Sequence, residues 1–226
     1  MEEFFLKLSI MLVPALMAIT CHEVSHGFVA DKLGDSTARR QGRLTLNPIK
    51  HMDIIGTIMV FIIGIGWAKP VPVNFNNLRN PKKDMIWVAA AGPITNFSIA
   101  FLSAMLMRLV IWLTKGIANA PMELFSKPVI LMLAFSVYIN LLLGIFNLIP
   151  VPPLDGGRVA VGLLPYRQAV TYSRIEPFGM IIIILLVFFT NIFDILLLPV
   201  LNFAVHLVAG SQSRVVSDVT QLLLKL

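Results

Sequence analysis

Long apolar stretches interrupted by short polar ones dominate the chain. No Asp, Glu, Lys or Arg occurs at 8–22, 54–68, 85–107, 128–154, 177–193 or 195–213. The third and fourth stretches run 23 and 27 residues, and each is long enough to cross a bilayer, which takes about 20. The first continues past Glu23 through 24–30, so residues 4–30 predict one long helix with an acid inside it. An ionisable group at membrane depth is expensive, and such groups mark functional sites. Span 85–114 is expected to run outward, with Glu123 and Lys127 outside, and 128–149 to return. Beyond Pro177 the pattern predicts either a helical hairpin or one span and a surface helix. Residues 215–226 alternate apolar and polar positions at helical spacing, as a helix lying on a membrane does. The whole chain is expected to hold four to six passes.

Stretch 54–68 is ambiguous. Its most apolar part, 54–66, is 13 residues and contains Gly56, Gly64 and Gly66. That is short for a span. Both flanks are basic. Residues 32–53 and 69–84 carry net +3 each, and outside them 9 basic and 9 acidic residues cancel. Basic short loops stay in the cytoplasm, so 54–68 either dips in and returns or forms a short true span.

Composition agrees with a membrane protein. Only 13% of the 226 residues are charged, about half the share in a soluble domain, and mean hydropathy is +0.84. The deficit excludes a disordered chain and argues against a nucleic-acid binder despite a pI near 9.7. The acidic start, Glu2 and Glu3, is unlike a cleavable signal peptide. Cys21 is the single cysteine, so no internal disulfide is available.

The chemistry concentrates at His22-Glu23-Val24-Ser25-His26, an H-E-x-x-H pattern. Residues i and i+4 share a helix face, so both imidazoles can reach one metal ion. Zinc suits two His nitrogens, a third protein ligand and an open position for water. Glu23 then accepts the proton as metal-activated water attacks a carbonyl. By residue type, His51, His206 and Asp155 are candidates for the third ligand. Asp155 is preferred because Pro150, Pro152 and Pro153 break the helix before it and Gly156 and Gly157 permit tight turns after it. A plain capping role for Asp155 is the alternative.

Taken together, the motifs resemble the site-2 protease family of intramembrane zinc metalloproteases. The resemblance covers roughly residues 8–165. HEVSH lies in a membrane helix, Ala91-Gly92-Pro93-Ile94-Thr95-Asn96 matches A-G-P-x-x-N, and Asn147, Pro150 and Leu154-Asp155-Gly156 match N-x-x-P…L-D-G. It implies one zinc per chain held by His22, His26 and Asp155, with Glu23 as general base. It implies an all-α polytopic bundle with a small re-entrant β element between the first and second full spans. It also implies substrate contacts by Asn96, Asn147, Gly66, Trp67 and Lys69. A helix–helix hydrogen bond is the other reading of Asn96. The chain lacks the PDZ-like and nucleotide-binding modules of larger relatives, so residues 1–226 are expected to form a single membrane-embedded domain, with core 8–165 and C-terminal helices 175–226.

The expected activity is hydrolysis of a peptide bond within or near a transmembrane segment of a protein or peptide substrate. The expected location is the cell membrane, with the lipid bilayer as partner and the site toward the cytoplasm. Strand addition along 67–75 is one expected way to hold an unwound substrate. A divalent-metal transporter, a non-catalytic metal-binding membrane protein and an inactive relative are the competing classes. Convergence of the polar groups on one site and the intact Glu23 argue against them.

Overall fold

In the computed structural model, residues 2–63, 66–115, 120–191 and 193–224 are described. Their order is α1 (Glu2–Lys32), α2 (Thr37–Arg40), α3 (Ile54–Ile63), α4 (Pro81–Thr114), α5 (Ala120–Asn147), α6 (Asp155–Leu163), α7 (Tyr166–Ser173), α8 (Glu176–Phe189), α9 (Leu198–Ala209) and α10 (Ser213–Leu224). Among the described residues, four segments are long and apolar enough to cross a membrane: Leu6–Lys32, Pro81–Thr114, Leu124–Asn147 and Asp194–Leu223. The pair α7 and α8, bent by 62°, makes a fifth if counted as one broken span. The protein is a multi-pass helical membrane protein.

The expected re-entrant β element is not found among the described residues. The interval instead holds the 10-residue helix α3, followed by an extended segment with one isolated antiparallel bridge, Met52 to Ala68. Gly64 and Ile65 lie outside the described residues. The reason is backbone satisfaction: in an apolar medium a helix closes its own N–H and C=O groups, whereas a lone strand cannot. Asp53 starts the helix by accepting the Gly56 N–H at 2.8 Å. At 1.5 Å per residue α3 is about 15 Å long, half of a hydrocarbon core of about 30 Å. It leaves Ile54, Ile55 and Ile58 exposed, an apolar surface suited to lipid.

The chain divides into two compact units. The first comprises Met1–Ala18, Asn96–Ile145 and Ile192–Leu226. Its core contains Ile10, Met107, Leu141, Leu201 and Val205. Ala100, Ala104 and Ala134 are fully buried there, as small residues allow membrane helices to approach closely. Polar links join α4 and α5: Ser103 to Ser136 at 2.8 Å and the Asn96 amide to Asn140 Oδ1 at 2.9 Å. Much of the apolar stripe of the amphipathic C-terminal helix is buried within the protein. Val216, Val219 and Leu223 of α10 lie in this core, because a helical stripe packs against another helix as readily as against a membrane.

The second unit comprises Ile19–Thr95 and Phe146–Asn191. It contains the C-terminal half of α1, α2, α3, the extended segment 66–74, the start of α4 and helices α6 to α8. A small cluster of Ala30, Leu78 and Val88 joins α1, the turn between the extended segment and α4, and α4 itself.

Candidate active site

All parts of the site belong to the second unit. α1 places His22 and His26 one turn apart, with ring centroids 4.7 Å apart and planes at 82°. His26 Nδ1 lies 2.7 Å from the Val88 carbonyl on α4. A carbonyl can only accept, so Nδ1 carries the proton and Nε2 is left with its lone pair.

Asp155 lies far from both histidines in the sequence. The loop before it is folded back by the Tyr172 hydroxyl, which donates to the Pro150 carbonyl. Leu154 is the N-cap of α6 and Asp155 its first residue, a position where a helix favours a carboxylate. Asp155 is 8% exposed and His22 7%, so the membrane protein hides both. Asp155 Oδ2 lies 3.1 Å from His22 Nε2 and 3.3 Å from His26 Nε2.

The donor set fits a metal. Ligand atoms of His22, His26 and Asp155 all lie within 4.8 Å of one another. Apart from these two close nitrogens, the buried Asp155 Oδ2 has no hydrogen-bond partner among the described residues. A buried carboxylate oxygen left this way is costly unless a cation completes it. Two imidazoles and one carboxylate, with no thiolate, suit zinc.

Gly92 of the A-G-P stretch makes the site possible. A Cβ there would lie 2.5 Å from His22 Cε1 and 2.5 Å from His26 Nε2. Only a residue without a side chain lets α4 lie against both rings. The sequence singles out Gly92 within a motif, but its contact partners are visible only in three dimensions.

Glu23 is half-buried and is not one of the three clustered ligands. Its Oε2 accepts the backbone N–H of Val71 at 2.9 Å. Gly66, Trp67 and Lys69 lie on the exposed start of the same extended segment. Asn147 ends α5 and is half-buried. Asn96 is fully buried and, besides Asn140, donates to the Ala18 carbonyl at 3.3 Å, which is the helix–helix hydrogen-bond arrangement. His51 and His206 do not join the cluster. His51 is 1% exposed, with Nε2 2.8 Å from the Thr45 carbonyl. Asp53 serves α3 as described above. Two further buried charges, Asp35 and Arg43, had no signal in the sequence beyond their place in a basic loop.

The sequence pattern of peptidase family M50 matches residues 10–190. A protein of Bacillus subtilis (strain 168) named "Putative zinc metalloprotease YwhC" is 38% identical over 192 residues, 85% of each chain. The Rip2 protein of Mycolicibacterium smegmatis, with a name of the same form, is 27% identical over 177 residues, 76% of this chain and 63% of that one. The MJ0611 protein of Methanocaldococcus jannaschii, again so named, is 30% identical over 142 residues, 61% of this chain and 62% of that one. No solved structure matches the chain. Zinc is the metal that these names and the donor set share. The chain belongs to peptidase family M50, the site-2 protease family, and is a membrane metalloprotease.

Proposed function

We propose that the protein cleaves a peptide bond within or near a transmembrane segment of a membrane protein, using His22, His26 and Asp155 to hold one zinc ion and Glu23 as general base. The observation that carries this reading is the buried Asp155 Oδ2, 3.1 and 3.3 Å from two imidazole nitrogens and otherwise unpartnered among the described residues. When bound, zinc supplies Lewis-acid polarisation of a substrate carbonyl and of water. The Val88 carbonyl holds the His26 tautomer that offers Nε2 to the metal. Glu23 takes a proton from the water that attacks the peptide carbonyl. It returns that proton to the departing amine as the C–N bond breaks.

Burial of His22 and Asp155 keeps bulk solvent from the reacting groups. The basic loops around the site, net +3 each, support a cytoplasmic-side location. A helical substrate has its backbone closed by its own hydrogen bonds, so the segment to be cut is locally unwound before Glu23 can act on it. The test is Glu23→Gln in purified protein reconstituted with a model transmembrane substrate. Zinc content is expected to stay at one per chain while cleavage disappears. Cleavage at the wild-type rate would overturn the assignment of Glu23.

A further inference from the structure

Residues 69–74 run past α1 as an extended strap, and the chain ties them down on several sides. Arg43, 9% exposed, donates from Nη2 to the carbonyls of Lys69 at 2.9 Å and Pro70 at 3.3 Å. The Lys69 N–H donates to the His51 carbonyl at 2.9 Å. At the far end Asp35, fully buried, accepts the Asn74 N–H at 2.7 Å and the Asn77 side-chain amide at 2.9 Å. Between these anchors the Val71 N–H points at Glu23. The approach is allowed by Gly27, one turn beyond Glu23. A Cβ at Gly27 would lie 2.7 Å from Val71 Cγ1.

The strap has no amide donor left over between residues 69 and 72. Lys69 and Val71 give theirs to His51 and Glu23, and Pro70 and Pro72 have none. An extended substrate paired along residues 69–72 would find carbonyls but no N–H groups, so strand addition over that stretch is poorly served. Two buried charges hold a segment whose one inward N–H meets the carboxylate beside the metal ligands. Such an arrangement suits orientation of that carboxylate better than recognition of a peptide.

We infer that the 69–74 strap orients Glu23 through the Val71 N–H, and that Arg43 and Asp35 are positioning residues for cleavage because they fix the strap. The inference rests on Glu23 as the base. Displacing a reacting group by about 1 Å can cost about 10²-fold in rate, and such a loss falls on kcat while substrate affinity is kept.

The experiment compares Val71→Pro with Val71→Ala in the zinc-loaded enzyme. Both lose the packing against Gly27, but only V71P loses the N–H, and its neighbours Pro70 and Pro72 already restrict the backbone. V71P is expected to lower kcat about 10²-fold below V71A with KM and zinc content equal. Equal kcat in the two variants, or a loss confined to KM, overturns the inference. If V71P does not fold, Arg43→Gln against Arg43→Lys decides. R43Q should lower kcat about tenfold with KM unchanged, and R43K, which retains a cationic donor, should regain most of it. No difference between R43Q and wild type overturns it. Hydrogen exchange across residues 68–74 supplies a readout independent of turnover. The Val71 amide is expected to be protected in the wild type and to exchange faster in Glu23→Ala and in R43Q, and unchanged protection in both contradicts the strap. A fully active E23Q would instead remove the base itself, which separates that failure from failure of the strap.

Discussion

At the scale of single residues, the site depends as much on what is missing as on what is present. Gly92→Ala adds one methyl group, yet that carbon would sit 2.5 Å from atoms of both His22 and His26. The helix-bound α4 backbone cannot retreat easily, so the rings must turn away from Asp155. Disturbing the groups that orient metal-ligating histidines typically costs 10- to 100-fold in metal affinity. G92A is expected to lose zinc at least about tenfold more readily during dialysis against a chelator. Zinc retention equal to wild type would show that α4 yields at this point. Asp35 offers a second residue-scale expectation. Burial pushes its carboxyl up, but hydrogen bonds from Thr37, Asn77 and Asn74 outweigh that and hold it below its ordinary value of 3.8. A carboxyl depressed in the folded state stabilises the fold fully above its unfolded value. That contribution fades as pH falls below about 4 and is gone below the folded value. The melting temperature of wild type should therefore drop across this acid window relative to Asp35→Asn, which has no carboxyl to protonate. Parallel acid melting curves for the two proteins would contradict the assignment.

At the scale of elements, the apolar periodicity of α1, α4 and α5 was readable directly, because a helix of more than 20 apolar residues has one way to satisfy its backbone in lipid. The interval between α1 and α4 was less legible. Ile54-Ile55-Gly56-Thr57-Ile58 is rich in β-branched residues, which favour strands on a packed sheet. Without partner strands that preference has nothing to act on, and α3 forms. The strap after it carries the alternation of Lys69-Pro70-Val71-Pro72-Val73. Its prolines show that it cannot be an ordinary ladder strand, but not that Arg43, His51 and Glu23 take up its polar groups. Those partners are 18 to 48 positions away in sequence. Their meeting is a property of packing.

At the scale of the whole molecule, the positive loops make the topology testable. Arg40 lies in the basic loop after α1, and Lys115 lies at the end of α4; both are exposed. In a Cys21→Ala background, a membrane-impermeant maleimide should label K115C in intact cells. It should reach R40C only after permeabilisation, because basic loops remain cytoplasmic. The reverse pattern would place the catalytic side outside.

The chain by itself determined that the protein is helical and embedded in a membrane, and that His22 and His26 share a helix face. These follow from composition and from a spacing of four on a helix, both local quantities. It also pointed to Asp155, since a carboxylate after a proline-broken helix stands out in an apolar sequence. Tertiary structure alone decided that α3 replaces the expected β element and that Gly92 makes room for the two imidazoles. It alone decided that Asn96 faces Asn140 and that Glu23 meets the amide of Val71. Each of these depends on which distant groups become neighbours. Buried polar atoms must find partners, and those partners exist only once the chain has folded.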